Sequence, residues 1–382
     1  MTDGGKRILI STQSFPPMTG GTPVILYELL RHLPREAFIA VHGTSDPFSM
    51  AGEDLGIERK MVLFAGSPKW TLRLRRRWPG LYTRMIRPQI ERLAKEHKVQ
   101  RIYAHFPSAC FMIAAWQVAE KLNLPLTVYF DILWEESDRA AGAPLARKYE
   151  KRIVQRADSR FAITEFAAEH LSRKHDVPFE LIPHTIDVGN LPTGLRPLPA
   201  GAEPVVHFSG GIYPRMNQDA VARLVEAARL SRHRPSLDLC TPCLPPGLDR
   251  QGLKTRYLSR DELMTAQSQS DILYLPQAFE SGRPVMIRHN FPTKTMEYLR
   301  SGRPILVHSP ADSYLTWLAR REGFALVVDR PDVRELADAV DRLIEDQELQ
   351  GRLVERALGF VKTRDGRIWA QKLWSALTDN PR

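Results

Sequence analysis

Short apolar runs alternate with amphipathic stretches of helical period along this chain of 382 residues, and this alternation constrains the fold more than any other feature. In the first half, apolar runs at 8–10, 38–41, 101–104 and 126–130 are separated by stretches such as 24–33, whose apolar residues recur at helical spacing. Strands that alternate with helices in this way are typical of a parallel sheet covered by helices on both faces. The pattern therefore predicts an α/β fold built from doubly wound, Rossmann-like sheets.

The composition changes at 188–204, where Gly, Pro and Leu dominate without a helical period. We interpret this stretch as an interdomain linker, because the strand and helix pattern restarts at 205–208 and continues through 236–239 and 272–275. A chain of this length is too long for a single hydrophobic core. The sequence predicts two domains of similar size, 1–188 and 189–364, facing each other across a cleft.

One segment of the second half, 291–304, has clear signals for the start and end of a helix. Pro292 suits the first helical position, where its missing N–H costs nothing. Gly302 suits the left-handed residue after the end, and Pro304 prevents the helix from continuing. Apolar runs at 272–275 and 305–307 flank the segment, which places the start of the helix near the carboxyl end of a parallel sheet, where α/β folds bind ligands.

The residues at the start of this helix suit a phosphate. Free backbone N–H groups, the hydroxyls of Thr293 and Thr295, and the ammonium group of Lys294 are expected there. Glu297 lies one turn further along, about 5–6 Å from Lys294 on the same helix face. A cation for phosphate beside a carboxylate for sugar hydroxyls indicates a nucleotide sugar as ligand. A simple ion pair between Lys294 and Glu297 is the structural alternative.

Positive charge is concentrated in the segment 69–101. Its eleven basic residues face only two acidic ones, which accounts for nine of the ten net positive charges of the chain. Tryptophan, leucine and other apolar residues lie between them, as expected of a surface for anionic lipid or an acidic acceptor. A solvated helix face whose arginine stems cover apolar groups explains the pattern equally well. No recognised nucleic-acid module accompanies the segment, so we do not expect nucleic acid as a partner.

The remaining composition indicates a cytoplasmic protein. Only three cysteines occur, no window approaches the length of a transmembrane helix, and no signal peptide precedes the first strand, so we expect a cytoplasmic location, with peripheral attachment to the inner face of the membrane through 69–101 as an option. Cys240 and Cys243 form a single C-x-x-C pair. Two ordinary thiols explain this pair better than a zinc or redox site, which remains the alternative.

Four segments, 14–22, 157–165, 182–187 and 291–298, resemble in their order and spacing the GT-B glycosyltransferases, most of all the retaining glycosyltransferase family 4. The resemblance covers nearly the whole chain. It implies two facing Rossmann-like domains, the first for the acceptor and the second for the nucleotide sugar, with the C-terminal helix 365–382 completing the first. It also implies sugar transfer from a nucleotide diphosphate sugar to an acceptor hydroxyl, with retention and without a metal or other cofactor, in the biosynthesis of surface polysaccharide, glycolipid or another glycoconjugate.

In the first domain we predict four site residues, three from the resemblance and Asp131 from its position at the end of a strand. Gly20 and Gly21 lie in the first loop, where the missing side chains let the backbone approach a donor closely. His105 follows a strand and is implied to contact the sugar or to stabilise developing positive charge; a generic buried histidine is the alternative. Asp131 ends the run 126–130, and we predict that it orients or deprotonates the acceptor, although it also suits a helix N-cap.

In the second domain, the predicted donor site combines Lys294, Thr293, Thr295 and Glu297 with the loop after the strand 205–208. We expect amides of Gly210 and Gly211 and the cation of Arg215 to help stabilise the diphosphate as it leaves. The loop departs from the family pattern, since Gly211 stands where the family commonly has an arginine, and Arg215 is one residue from the usual lysine position.

A second departure concerns the Glu-x7-Glu motif of the family. Its second glutamate corresponds to Glu297, but His289 occupies the position of the first. Glu280 has a similar local context but lies seventeen residues from Glu297. Either His289 takes the sugar-facing role or the loop 279–290 is rearranged.

Three functions therefore remain open. The favoured one is a glycosyltransferase acting on a lipid-linked, saccharide or small-molecule acceptor. A nucleotide-sugar epimerase has the same architecture, and a non-catalytic membrane- or polymer-binding protein would retain the fold without the chemistry.

Overall fold

The computed structural model of the chain describes residues 7–18, 20–43, 52–64, 67–137, 143–196, 201, 203–242, 244–245, 247–248, 253, 255–256 and 258–379. The chain divides into two compact units, Met1–Asp187 with Gly366–Arg382, and Val188–Asp365. The domain boundary predicted between 188 and 189 lies one residue from this division.

The first unit contains a seven-stranded, wholly parallel sheet with the strand order β3-β2-β1-β4-β5-β6-β7. Its strands are β1 (Ile8–Thr12), β2 (Phe38–His42), β3 (Glu58–Met61), β4 (Arg101–Phe106), β5 (Leu126–Phe130), β6 (Ser159–Ala162) and β7 (Glu180–Leu181). Its helices before the second unit are α1 (Gly21–Leu30), α2 (Pro68–Arg77), α3 (Pro79–Glu96), α4 (Ala109–Leu122), α5 (Ala143–Arg156) and α6 (Glu165–His175).

The second unit contains a five-stranded parallel sheet with the order β12-β11-β10-β8-β9. Its strands are β8 (Val205–Ser209), β9 (Ser236–Cys240), β10 (Ile272–Pro276), β11 (Ile305–His308) and β12 (Leu326–Val328). Its helices are α7 (Gln218–Leu230), α8 (Arg260–Ser268), α9 (Pro284–His289), α10 (Lys294–Arg300), α11 (Tyr314–Glu322), α12 (Val333–Glu345) and α13 (Gln347–Lys362). The two parallel sheets confirm the α/β fold class predicted from the sequence.

The continuous apolar runs of the strands follow from burial on both faces of each sheet. In β1, Leu9 packs in one core cluster with helices α3 and α4, whereas Ile8 and Ile10 pack in the opposite cluster with α1. Successive side chains of a strand point to opposite faces, so a strand covered on both sides needs apolar residues at every position. This explains why the strands were recognisable as short apolar runs without alternation.

The C-terminal helix α14 (Gly366–Thr378) packs against the first unit. Leu373 and Leu377 lie in the same core cluster as Ile8, and the ring of Trp374 lies 5.9 Å from that of Phe38. The helix begins where the N–H of Gly366 donates to the carbonyl of Ile186 at 3.2 Å, so the chain returns to the first unit at the residue that begins α14.

The structure shows which elements the basic segment 69–101 forms, and it places one of its residues, Arg101, away from the surface. Arg101 was counted with the basic surface, but it lies in the interior of the sheet on β4, where its guanidinium donates to the carbonyl of Asp379 at 2.7 Å. The rest of the segment forms α2 and α3. None of the helices in the described part of the chain is long and apolar enough to cross a membrane.

Candidate functional site

The strand order of the second unit reverses at β8, which pairs with β9 on one side and with β10 on the other. A ligand crevice in an open parallel sheet forms at such a reversal, beside the carboxyl ends of the two strands. The loop 210–217 follows β8 and the loop 277–283 follows β10. The N–H of Ala278 donates to the carbonyl of Met216 at 2.8 Å, so the two loops hold each other.

Lys294, the first residue of α10, places its ammonium group against the end of β8. Its Nζ lies 4.0 Å from the centroid of the Phe208 ring, and a Cβ atom at position 210 would lie only 3.0 Å from Nζ. Burial lowers the pKa of Lys294 to about 7, and the charge of Glu297 opposes this shift. A cation that is stripped of water in this way gains strongly when an anion arrives.

Tyr298 fixes this arrangement from the next turn of α10. Its fully buried hydroxyl accepts from the N–H of Ser209 at 2.9 Å and lies 3.1 Å from the Ser209 hydroxyl. The contact satisfies a backbone donor at the end of β8, where the ladder of the sheet stops. It also sets the distance between α10 and the loop that begins at Gly210.

Helix α10 is shorter than its sequence signals predicted. It begins at Lys294 with Thr293 as N-cap, so Pro292 lies before the helix and not at its first position. The carbonyl of Pro292 accepts instead from the N–H of Thr295 at 3.0 Å, because the backbone already turns there. The end of the helix is as predicted, with Gly302 in the left-handed region at φ 77°.

The two predicted threonines occupy different environments. Thr293 is half-buried, and its side chain does not cap the helix. Thr295 is fully buried, and its hydroxyl oxygen has no hydrogen-bond partner among the described residues.

The loop after β8 brings Gly210 against Lys294, but the N–H of Gly210, which the sequence analysis predicted to bind the diphosphate, donates to the carbonyl of Cys240 at 2.9 Å. Gly210 has φ 107°, a backbone conformation that glycine tolerates, and it is the residue that Lys294 touches. Gly211 lies under the ring of Tyr213, where a Cβ atom would lie within about 2.4 Å of the phenol. Arg215 is exposed and takes a left-handed backbone at φ 67°. Asn217 secures the turn by accepting from the N–H of Tyr213 at 2.8 Å and donating to the carbonyl of Gly211 at 3.0 Å.

Glu297 is half-buried on the same helix as Lys294. Its carboxylate accepts a long hydrogen bond, 3.5 Å, from the side-chain amide of Gln267 on α8. The ammonium of Lys294 packs on Phe208, so this geometry favours two separate polar groups over the simple ion pair.

The loop 279–290 contains helix α9, which the sequence analysis did not predict. His289 is its last residue, and the ring Nδ1 lies 2.7 Å from the carbonyl of Val285 in the same helix. Glu280 lies elsewhere, with 72% of its side chain exposed and an ion pair to Arg223. Asp219 holds this part of the loop by accepting from the N–H groups of Phe279 and Glu280 at 2.9 and 3.1 Å.

In the first unit, the strand order reverses at β1, which pairs with β2 and β4. His105 lies near the carboxyl end of β4 and is completely buried. Its ring stacks on that of Tyr129 at a centroid distance of 4.5 Å, and its Nε2 lies 3.5 Å from the carboxylate of Asp131. The histidine is therefore not an isolated core residue, since it faces an acidic side chain at the edge of the sheet where ligands bind.

The hydroxyl of Tyr103 determines which nitrogen of His105 carries a proton. It lies 3.0 Å from Nδ1 of His105, and burial raises the pKa of Tyr103 far above its usual range, so the phenol keeps its proton. A buried hydroxyl must donate, and Nδ1 is the acceptor that the described residues offer it. In the neutral ring the proton therefore lies on Nε2, which is buried and makes no hydrogen bond to the described residues.

Asp131 follows β5, and its carboxylate is held from two sides. The hydroxyl of Thr22, near the start of α1, donates to Oδ2 at 2.7 Å, and His105 faces the same oxygen. Oδ1 is buried and has no hydrogen-bond partner among the described residues. The alternative role as a helix N-cap is wrong, because no α-helix begins at residues 132–134.

The two glycines of the first loop precede Thr22. Gly20 has φ 126° and open space where a Cβ would be, and Gly21 is the first residue of α1. Both are exposed, as backbone that a ligand approaches must be. Their binding role stays a prediction.

The prediction of two ordinary thiols can be compared with the structure only at Cys240, because Cys243 lies outside the described residues. Cys240 is a buried free thiol that lies near His207 and Asp238, with one ligand atom of each residue within 4.8 Å of the others. Arg256 donates to both carboxylate oxygens of Asp238 at 2.8 and 2.7 Å. The guanidinium supplies the positive charge that a metal would bring, so we interpret the cluster as an ion-paired network.

Sequence reasoning missed the residues that position the predicted ones. Tyr298 ends the segment 291–298, and Tyr103 lies two residues before His105. The sequence gives no reason to assign a function to either tyrosine. Thr22 and Asn217 lie in recognised loops. In the sequence, each of them is marked only by being a polar residue in a loop near a predicted strand. Such residues are too common for the sequence to show which of them makes a contact.

Residues 19–190 match the model of Glycosyltransferase Family 4. Solved structures match nearly the full chain. HepE from Anabaena, in complex with UDP and glucose, has a TM-score of 0.72 at 14% identity, covering 98% of this chain and 99% of that chain. Sucrose-phosphate synthase from Thermosynechococcus elongatus has a TM-score of 0.70 at 16% identity, covering 97% and 98%.

The trehalose-6-phosphate synthase OtsA has a TM-score of 0.71 at 13% identity, covering 99% of this chain and 100% of that chain. No curated protein matches the sequence. At these identities the structural matches show the fold, and they confirm the predicted GT-B class.

The proton position on His105 gives a test of the first-unit geometry. We expect 15N NMR of protein labelled in the histidine rings to show an unprotonated Nδ1 in His105, assigned by comparison with His105→Gln. Tyr103→Phe should remove the preference for this tautomer, because the donor to Nδ1 is gone. Tyr129→Phe is the matched control, since it keeps the stacked ring and loses only a hydroxyl that donates to Ile182 at 2.9 Å. A protonated Nδ1 in the unmodified protein would contradict the assignment.

Proposed function

We propose that this GT-B glycosyltransferase, which carries a family 4 domain over residues 19–190, transfers a sugar from a nucleotide diphosphate sugar to an acceptor hydroxyl with retention and without a metal. The bond between the sugar and the phosphate oxygen breaks, and a new bond joins the anomeric carbon to the acceptor oxygen. The proton of the acceptor passes to the departing phosphate. Glycoconjugate biosynthesis is the proposed context, with a lipid-linked, saccharide or small-molecule acceptor.

The desolvated ammonium of Lys294 is the observation that carries the proposal. It lies at the carboxyl end of β8, against Gly210, where a side chain would collide with the ammonium group. Loss of the sugar leaves about one additional negative charge on the diphosphate, and a cation fixed in advance in a region of low dielectric stabilises that charge efficiently. Lys294 is therefore assigned to the diphosphate. The amide of Gly211 is proposed as a second donor, whereas the N–H of Gly210 already donates to the carbonyl of Cys240.

Glu297 is assigned to the ribose. It lies one helical turn from Lys294, and the hydrogen bond that its half-buried carboxylate makes to the described residues is a long one, 3.5 Å from the amide of Gln267. An acceptor with spare capacity at this distance from a phosphate-binding cation suits two adjacent sugar hydroxyls. Thr293 and Arg215 are kept as further donor contacts, and His289 remains a candidate for the sugar end.

In the first unit, Asp131 is assigned to the acceptor hydroxyl. Thr22 and His105 face one of its oxygens, which leaves Oδ1 as the oxygen that receives a hydrogen bond. His105 is assigned to the sugar, to which it donates through Nε2, the ring nitrogen that has no hydrogen-bond partner among the described residues. The first loop, with Gly20 and Gly21, is assigned to the donor, as the sequence prediction has it.

UDP-glucose is the first donor to test. The structures of HepE include complexes with UDP and with UDP-glucose, and the fold is shared over nearly the full length of both chains. A thermal-shift assay with a panel of UDP-, GDP- and ADP-sugars identifies the base and the sugar of the donor. Transfer assays with that donor then identify the acceptor.

Substitutions in α10 test the donor site. We expect Lys294→Ala and Glu297→Ala each to lower the transfer rate at least tenfold, about 1.4 kcal/mol in the barrier, because each removes a contact to the nucleotide. Glu280→Ala is the control, since the ion pair of this exposed glutamate within the described part of the chain is with Arg223, and its loss should leave the rate within twofold. Unchanged kinetics in folded Lys294→Ala protein would refute the assignment.

The pKa of Lys294 predicts a pH dependence. The ammonium form binds the diphosphate, so UDP-glucose should bind most tightly below pH 7 and weaken as the pH rises through about 7, by roughly tenfold between pH 6 and 8. UDP-glucose is used because its diphosphate has no terminal phosphate that titrates in this range. Lys294→Arg keeps its charge throughout, so its affinity should be independent of pH. Titration calorimetry measures both, and equal slopes for the two proteins would count against Lys294.

The metal and the stereochemistry are tested in the same transfer assay. We expect EDTA to leave the rate unchanged, since Lys294 and the loop amides carry the positive charge. The first-formed product should have the anomeric configuration of the donor, as read by proton NMR. Loss of transfer in EDTA or an inverted product would contradict the corresponding part of the proposal. Conversion of the donor to an epimer without acceptor would identify an epimerase, and binding without turnover a non-catalytic protein.

A further inference from the structure

Helices α2 and α3 expose a group of large apolar side chains, which we call the α2–α3 surface. Trp70 is 59% exposed, Trp78 53%, Leu81 49% and Met85 39%. Trp70 lies on α2, Trp78 joins the two helices, and Leu81 and Met85 lie one turn apart on α3. Monomeric soluble proteins rarely expose such a group in one place without a binding partner.

The other side of α3 is anchored in the core of the first unit. Tyr82, Ile86 and Ile90 are completely buried and belong to the same apolar cluster as helix α4. The helix therefore already buries one apolar stripe, and the exposed side chains form a second one. Folding of the unit does not require the second stripe to be apolar, so its composition has another cause.

The charge of this surface is uniformly positive. Seven basic residues and no acidic one occur between residues 69 and 90, namely Lys69, Arg73, Arg75, Arg76, Arg77, Arg84 and Arg87. Of the basic residues that follow, Lys95 pairs with Glu91 at 2.7 Å, Arg92 pairs with Glu96 at 3.7 Å, and Arg101 is buried. The positive charge without acidic neighbours in the sequence is therefore concentrated at 69–87.

Each of the two tryptophans of the surface has an arginine guanidinium beside its indole ring. The guanidinium carbon of Arg73 lies 5.4 Å from the Trp70 ring, and that of Arg77 lies 5.8 Å from the Trp78 ring. An indole beside a cation suits the boundary between lipid headgroups and hydrocarbon, where the ring leaves water and the charge meets phosphate.

We propose that the α2–α3 surface docks the protein onto a bilayer of anionic phospholipid. The two tryptophans, Leu81 and Met85 enter the headgroup region. The exposed basic residues that contact lipid phosphates are Lys69, Arg73, Arg77, Arg84 and Arg87. A nucleic acid would also satisfy the charges and stack on the indoles, but the aliphatic side chains of Leu81 and Met85 gain nothing from it. Their presence favours the lipid surface.

Vesicle sedimentation with the full chain tests the proposal without a nucleotide sugar, so its outcome is independent of the proposed transfer reaction. We expect binding to vesicles of phosphatidylcholine with 30% phosphatidylglycerol, little binding to pure phosphatidylcholine, and a decrease of at least tenfold between about 0.05 and 0.5 M salt. Trp70→Ala with Trp78→Ala should lower the apparent affinity about tenfold, as should Arg73→Ala with Arg77→Ala.

Matched controls lie elsewhere on the chain. Ile368 is 57% exposed on α14, and Arg334 and Arg352 are exposed on α12 and α13. Ile368→Ala, and Arg334→Ala with Arg352→Ala, should bind vesicles as the unmodified protein does, and all variants should retain their thermal unfolding temperature. Equal binding to neutral vesicles, equal losses in the control variants, or a preference for single-stranded oligonucleotide over vesicles would overturn the proposal.

Discussion

The second unit is organised around one interaction, the burial of the Lys294 ammonium against the ring of Phe208 and the backbone of Gly210. An ammonium group at this place loses water, which lowers its pKa to about 7, and among the described residues no carboxylate forms an ion pair with it. The arrangement costs free energy in the unliganded protein. It is maintained because Tyr298 ties α10 to the end of β8 through Ser209. A site that carries such a cost is expected where an anion compensates it.

The first unit prepares a carboxylate in a different way. Tyr103, His105, Asp131 and Thr22 form a chain of polar contacts at the carboxyl ends of neighbouring strands. Two of these contacts are hydrogen bonds with an assigned direction, from the Tyr103 hydroxyl to His105 and from the Thr22 hydroxyl to Asp131, whereas His105 and Asp131 are only near each other. One carboxylate oxygen is left without a partner among the described residues. Buried polar networks of this kind are costly when incomplete, so the open position indicates where a hydroxyl belongs.

The α2–α3 surface belongs to the same unit as this carboxylate. Helix α3 buries Tyr82 and Ile86 against the core and leaves Leu81 and Met85 outside. A single helix thereby contributes both to the stability of the unit and to a surface suited to lipid. The first unit is the one proposed to bind the acceptor. With a lipid-linked acceptor, docking through the α2–α3 surface would hold this unit at the membrane that contains the acceptor.

The sequence alone determined the fold class, because strands buried on both faces must be apolar at every position and so are visible as short runs. It also determined Gly302, since a left-handed residue after a helix has a local requirement, and it pointed to Lys294 and Glu297 through their spacing. Tertiary structure decided the rest. β3 (Glu58–Met61) is a partly exposed edge strand, so its sequence contains no apolar run that would identify it. Helix α9 occupies a stretch for which the sequence predicts a loop. The burial of Arg101, the place of Lys294 on Phe208 and the bond from Tyr103 to His105 depend on residues that are distant in the chain or on neighbouring strands. No local pattern encodes such contacts, because they arise only when the sheets have formed.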